Sequence, residues 1–277
     1  NNAHKQIMTE VTKHKSVLTA EIIDLLQPKN GGIYLDGTFG GGGHSRALLE
    51  ASAPNGRVMA IDRDPGTERF AQALADTYSQ RFSFTPVSYT NADQLNQKFN
   101  GIVLDLGFST DQLDASGRGF TFARNEPLDM RFNPSRGQTA AQLLNQTSAP
   151  QLETIFRQYG EDRHGGQLSR KIASFRRTQP FRTTFDLVGV IGTTNVKVLS
   201  KIFQALRIAV NDELNQLKAG LELLTGCLQP EGVLAVISFH SLEDRIVKEF
   251  IRNNLSVMTK KTITTSENEV LANTRAL

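Results

Sequence analysis

Two hydrophobic periods alternate along the first hundred residues. Short apolar runs recur at Gly32-Ile33-Tyr34-Leu35, Val58-Met59-Ala60-Ile61, Phe82-Ser83-Phe84 and Ile102-Val103-Leu104. Runs of this length, bounded by turn residues, read as buried strands. Between them the period lengthens. Ser16 to Leu26 carries Val17, Ile22, Leu25 and Leu26 on one side, and Pro28 with Gly31-Gly32 ends it. A second helix runs from the glycines after Phe39 to about Ala51, and Pro54-Asn55-Gly56 turns the chain into the second strand. Pro65 opens a third helix with Phe70, Ala73 and Leu74 along one side. Strands alternating with helices predict an α/β fold, a doubly wound Rossmann-like parallel sheet.

After Asp114 the pattern changes. The stretch from Gly117 to Gly137 is rich in Gly, Pro and Arg and reads as an ordered loop region. Helical periodicity follows at Thr139 to Leu144. Ser148-Ala-Pro-Gln151 then resembles a capping box ahead of Leu152, Ile155, Phe156 and Tyr159, and Leu168, Ile172 and Phe175 mark another helix. Residues 117–195 are therefore expected as an inserted helical domain, with 1–116 and 196–277 the two parts of the sheet domain. Phe203, Leu206, Val210, Leu214, Leu217, Leu221, Leu224 and Leu228 step by threes and fours and predict one long amphipathic helix. Pro230-Glu-Gly232 leads into a fifth strand, Val233 to Ile237, and Ser241 is expected to cap a helix through about Ile251.

Composition narrows the partners only a little. The 277 residues suffice for a full core, and no run approaches membrane-span length. The formal charge is +3 with an isoelectric point near 9.0, which permits nucleic acid without demanding it. The single cysteine, Cys227, excludes an intrachain disulfide and sits in an apolar stretch, where packing is the simpler role. Asn1-Asn2-Ala3 carries neither Met nor a hydrophobic signal core, so the chain reads as trimmed or processed.

The chemistry concentrates in Asp36-Gly-Thr-Phe-Gly-Gly-Gly-Gly-His44-Ser45, a strand-to-helix turn. There the backbone can approach a ligand closely and free helix amides can face a polar group. A phosphate-binding P-loop is excluded, because its first glycine falls on Thr38 and its lysine on His44. The dinucleotide pattern fails at its third glycine, which falls on Ser45 or Arg46. Asp62 lies twenty residues beyond Gly42, a spacing that suits a carboxylate accepting both ribose hydroxyls. Asp36, Asp62 and Asp105 all fall at strand carboxyl ends, where such sheets hold ligands. A nucleoside without a pyrophosphate fits best, and S-adenosylmethionine leads.

The same stretch resembles the signature of the bacterial and organellar small-subunit ribosomal RNA cytosine-N4 methyltransferases, the RsmH or MraW family. Further segments agree: His14-x-Ser-Val-Leu18 with Glu21, Asp62-Arg-Asp-Pro65, Asp105-Leu-Gly107, Ser109-Thr-Asp-Gln-Leu-Asp114 and Arg118-Gly-Phe120. Pro127-Leu-Asp-Met-Arg131, Tyr159-Gly-Glu161, Phe203-Gln-Ala-Leu-Arg-Ile208 and Ser238-Phe-His-Ser-Leu-Glu-Asp-Arg-Ile-Val-Lys248 follow in order. The resemblance implies an enzyme that uses S-adenosylmethionine, with Gly42, Gly43, His44, Asp62, Tyr89, Asp105 and Gln112 on the cofactor. It implies small-subunit ribosomal RNA or the assembling subunit as partner, with a homodimer or an assembly factor as further partners. The implied location is the cytoplasm in a bacterium, or the mitochondrial matrix or another organelle in a eukaryote. Two segments depart from the family: the stretch between Phe185 and Phe203 is shorter than usual, and the tail stops before the expected last strand.

Asp105 and Ser109 are the candidate catalytic groups, able to accept an amino hydrogen, with Ser238 and His240 behind them. His240 as a general base competes with a role at the strand end alone. Tyr89 can lie over an adenine or be an ordinary loop aromatic; the resemblance puts it on the cofactor. Arg170, Lys171, Arg176, Arg177 and Arg182 form the densest basic run and are expected to face RNA phosphates. No cluster has metal-ligand spacing. Two other functions compete: a methyltransferase-like ribosome assembly factor without turnover, and a nicotinamide dehydrogenase.

Overall fold

The structure is a computed structural model that describes residues 16–107, 117–266 and 269. The chain divides into two compact units: Asn1–Thr110 with Gln216–Leu277, and Asp111–Asn215.

The first unit is built on strands β1 (Ile33–Asp36), β2 (Arg57–Ile61), β3 (Phe82–Thr85), β4 (Phe99–Asp105) and β5 (Leu228–Ile237). Their order is β3-β2-β1-β4-β5, and every pairing is parallel. The doubly wound sheet expected from the alternating periods is present. Helices α1 (Thr19–Leu26), α2 (Gly43–Ala51) and α3 (Glu68–Tyr78) supply the connections around β1, β2 and β3. Successive residues of a strand point to opposite faces, so Tyr34 and Leu35 enter different cores. Tyr34 packs in a cluster with Ile22, Leu26, Leu48, Val58, Phe70 and Leu74. Leu35 packs in a second cluster with Ile61, Phe99, Ile102 and Leu104. Burial on both faces accounts for the unbroken apolar runs of β1 and β4. The strand order reverses between β1 and β4, and the crevice for a ligand lies beyond the carboxyl ends at that point.

The second unit contains α4 (Ala140–Gln146), α5 (Ala149–Tyr159), α6 (Gly165–Phe175), α7 (Thr184–Ile191) and α8 (Val196–Asn211). Thr139 with Gln142 caps α4, and the expected Ser148–Gln151 box caps α5, with Pro150 in the first turn. An Arg207–Glu213 pair is buried, with Nε to Oε1 at 2.8 Å and Nη2 to Oε2 at 3.0 Å. Helix α8 packs against α5 and α4. This unit therefore runs to Asn215 and takes in a helix that the sequence pattern assigned to the sheet domain.

The single long helix expected across Phe203 to Leu228 is two helices. Asp212 closes α8 in the left-handed region, with φ of 50°, and α9 (Glu213–Gly226) follows. Aspartate tolerates that conformation better than most residues, and the apolar steps on either side continue undisturbed, so the period hides the break. Leu217, Leu221 and Leu224 of α9 enter the cluster of Leu35 and Leu104. After β5 comes α10 (Ser241–Asn254), whose cap is His240, not Ser241: the imidazole Nδ1 accepts from the Glu243 amide at 3.4 Å. Among the described residues no helix is long and apolar enough to cross a membrane.

Candidate cofactor site and nucleic-acid surface

The glycine turn is fastened to both neighbouring strands. Gly37 donates to the Val103 carbonyl at 2.9 Å, and Phe39 donates to the Ile61 carbonyl at 3.1 Å. Thr38 Oγ1 accepts from the Asp105 amide at 2.6 Å, tying the turn to the end of β4. Gly40 and Gly42 hold φ of 51° and 79°, a region closed to most side chains. Gly42 ends the turn as the N-cap residue of α2, so Gly43 and His44 lie in that helix's first turn. The amides of a first helical turn lack partners within the helix and can face an anionic or polar group. Gly43 has a second reason to lack a side chain: a Cβ there would stand 2.2 Å from Ser16 Oγ.

Three carboxylates surround this turn, as the strand ends predicted. Asp36 is buried; its Oδ2 accepts from Ser45 Oγ at 2.7 Å and its Oδ1 from the Thr38 amide at 3.2 Å. Burial raises the Asp36 carboxyl above the usual range, against the pull of His44 and the Ser45 hydroxyl. Asp36 thus holds the turn together from beneath. Asp62 is only partly covered. Its Oδ2 accepts from the Gly40 amide at 2.9 Å and its Oδ1 from the Asp64 amide at 2.8 Å. Burial pushes its carboxyl up to about 6, while those two amides pull it down. Each carboxylate oxygen accepts twice, so both can still take a ribose hydroxyl.

Asp105 ends β4 opposite Ile237 of β5 and is buried beside His44, with Oδ2 3.6 Å from His44 Nε2. His44 is 3 % exposed, and among the described residues neither ring nitrogen has a hydrogen-bond partner. Orphaned buried polar atoms are costly and call for a ligand. The residues present therefore fit a polar cofactor beyond β1 and β4. Tyr89 stands in the cluster of Leu35 and Leu104 with 7 % exposure. A Cβ on Gly220 would stand 2.4 Å from its ring, so α9 covers one side of Tyr89 and little of it remains for an adenine. Ser109 and Gln112 lie outside the described residues. Ser45, Thr38 and Ser16 were missed as supports, although all three stand inside segments that carried the family resemblance.

The basic run divides. Arg170, Lys171, Arg177 and Arg182 are exposed. Lys171 lines a cleft of about 200 Å³ with Asp162, His164, Gln167 and Thr193. Arg176 turns inward: its Nη1 donates to the carbonyls of Leu144 at 2.7 Å and Thr147 at 2.6 Å. Those carbonyls belong to the end of α4, so Arg176 satisfies groups a helix terminus leaves open. Among the described residues no cluster of His, Cys, Asp and Glu could hold a metal ion.

The profile of the MraW methylase family matches residues 11–277. A ribosomal RNA small subunit methyltransferase H of Magnetococcus marinus is 46% identical over 252 residues, covering 87% of this chain and 80% of that one. The same-named protein of Syntrophotalea carbinolica is 37% identical over 300 residues and covers 96% of each chain. Among solved structures, NSun6 of Pyrococcus horikoshii matches with a TM-score of 0.47 at 11% identity, over 91% of this chain and 45% of that one. That likeness is too distant to add to the topology described above. The turn, the carboxylates at the strand ends and matches spanning nearly the whole sequence agree: the chain belongs to the MraW methylase family.

Proposed function

We propose that this chain is an S-adenosylmethionine-dependent methyltransferase acting on N4 of a cytidine in small-subunit ribosomal RNA. The observation that carries the reading is the buried His44 beside Asp105, without a hydrogen-bond partner among the described residues, at the end of a glycine turn whose Gly40 amide is held by Asp62. The likeness to the small-subunit methyltransferases supplies the substrate class. In this reading Asp62 accepts the two ribose hydroxyls, and the ring nitrogens of His44 and the amide of Gly43 face the amino-acid end, while Gly42, whose own amide donates to the Phe39 carbonyl at 2.8 Å, lets the turn come close to the cofactor. Tyr89 borders the adenine with its edge, and Gln112 completes the cofactor contacts. When bound, S-adenosylmethionine supplies a methyl on a sulfonium with its leaving group built in.

The remaining work falls to the protein. The cytosine amino group is a poor nucleophile, because its lone pair is delocalised into the ring. Holding it in line with the methyl can remove much of the barrier by position alone. Asp105, or Ser109 beyond it, would accept an amino hydrogen as the nitrogen becomes tetrahedral. Arg170, Lys171, Arg177 and Arg182 would hold RNA phosphates, contacts that add affinity and carry no sequence information. Such work belongs where small subunits assemble, in the cytoplasm of a bacterium or the matrix of an organelle. Calorimetry tests the cofactor: S-adenosylmethionine is expected to bind and NAD is not. Binding of NAD, or of neither, overturns the proposal.

A further inference from the structure

Beyond β5 the chain reads Ser238-Phe239-His240, and Phe239 is unusual for its place. It is 38 % exposed, and it is the sheet unit's one large exposed aromatic among the described residues. It stands two residues past Ile237, which pairs with Asp105 across the β4–β5 ladder, so it shares the ligand end of the sheet with that carboxylate. Its mount is rigid. The Phe239 amide donates to Glu243 Oε2 at 3.0 Å, and Glu243 is buried with its Oε1 3.2 Å from His240 Nε2. Its ring lies along the backbone leaving β4. A Cβ at Gly107 would stand 3.4 Å from Phe239 Cδ2, an ordinary contact, and it is the φ of 91° that favours glycine there.

We propose that Phe239 is the platform on which the target cytosine stacks; this rests on the methyltransferase reading above. A base offered for attack on its amino group must leave its own stack and loses that stacking. A fixed aromatic face at the edge of the crevice replaces it, independently of base identity. The chemistry needs the face as much as the affinity. The amino nitrogen lies in the base plane, and its lone pair emerges out of that plane as the nitrogen becomes tetrahedral. A platform that fixes the plane therefore fixes the direction from which the methyl must come. The bond that forms is N4 to methyl carbon, the bond that breaks is methyl carbon to sulfur, and one amino proton leaves to a protein or solvent acceptor.

The test compares Phe239→Ala, Phe239→Leu and Phe239→Tyr on intact protein, with unmodified small ribosomal subunits as substrate. The readouts are kcat/KM for the subunit, S-adenosylmethionine affinity by calorimetry, and the thermal midpoint. Stacking predicts that Ala and Leu each lose about 10- to 100-fold in kcat/KM, with cofactor affinity within twofold and the midpoint little changed, and that Tyr restores activity. A Leu variant as active as the unchanged protein would overturn the platform, since apolar bulk would then suffice. Loss of cofactor affinity in Ala would overturn it too, by placing the ring on the cofactor. If the unchanged protein makes no N4-methylcytidine, the methyltransferase reading falls and the platform with it; activity in the unchanged protein with no effect at Phe239 sinks the platform alone.

Discussion

Replacing Asp62 by asparagine keeps the shape and removes the charge. In the protein, both carboxylate oxygens already accept backbone amides, from Gly40 at 2.9 Å and Asp64 at 2.8 Å. The asparagine NH2 must then face one of those N–H groups, donor against donor, and offers nothing to one ribose hydroxyl. A hydrogen bond to a charged acceptor is worth roughly 1.5–3 kcal/mol. At about 1.4 kcal/mol per factor of ten, the variant should bind S-adenosylmethionine about 10- to 150-fold more weakly. The pH profile sharpens the test. Burial pushes the Asp62 carboxyl up to about 6, and two donating hydroxyls favour its ionised form. Affinity should rise with pH through 6 and level off above, approaching tenfold per unit on the acid side. The fold without cofactor behaves in the opposite sense. Its carboxyl holds the proton more tightly than the unfolded chain does, so that stabilisation is complete below about pH 4 and lost as pH rises through 6. Calorimetry between pH 5 and 8 on both proteins reads the affinities. An asparagine variant with unchanged affinity, or with the same pH profile as the original, would sink the ribose assignment.

Two further substitutions separate roles that the sequence lumps together. Arg177→Ala should weaken RNA binding and lower the slope of log affinity against log salt by about one unit. Arg176→Ala should leave the slope alone and cost about 1–3 kcal/mol in denaturant unfolding, because two carbonyls at the end of α4 lose a charged donor. A slope change in Arg176→Ala without destabilisation would reverse that division. Gly42→Val should abolish cofactor binding and also destabilise the fold by about 2–4 kcal/mol, since φ is 79° and a Cβ would stand 2.8 Å from the Phe39 ring. A variant with normal unfolding and normal binding would show that the turn has room to spare.

The strand ends were legible because a buried parallel strand announces itself as an apolar run and stops at its first polar residue. Asp36 and Asp105 end β1 and β4, and Asp62 follows β2 directly. Gly42 was legible as a glycine of a tight strand-to-helix turn, but the nearness of Phe39, a core residue, to the space a Cβ would take there was not. Arg176 reads like its neighbours in sequence, because nothing local shows that the end of α4 lies within reach of its side chain. Asp212 hides its break in the same way, since one left-handed residue leaves the apolar steps of α8 and α9 in phase. Helix α8 was assigned to the wrong unit because an amphipathic stripe shows that a helix packs, without showing against what.

The most direct measurement supplies labelled S-adenosylmethionine to unmodified small ribosomal subunits, digests the RNA to nucleosides and identifies the labelled one. The unchanged protein should label a single species, N4-methylcytidine, and Asp62→Ala should label none at the same cofactor concentration. Label on another nucleoside, or tight binding of cofactor and subunit with no transfer, would contradict the proposed function.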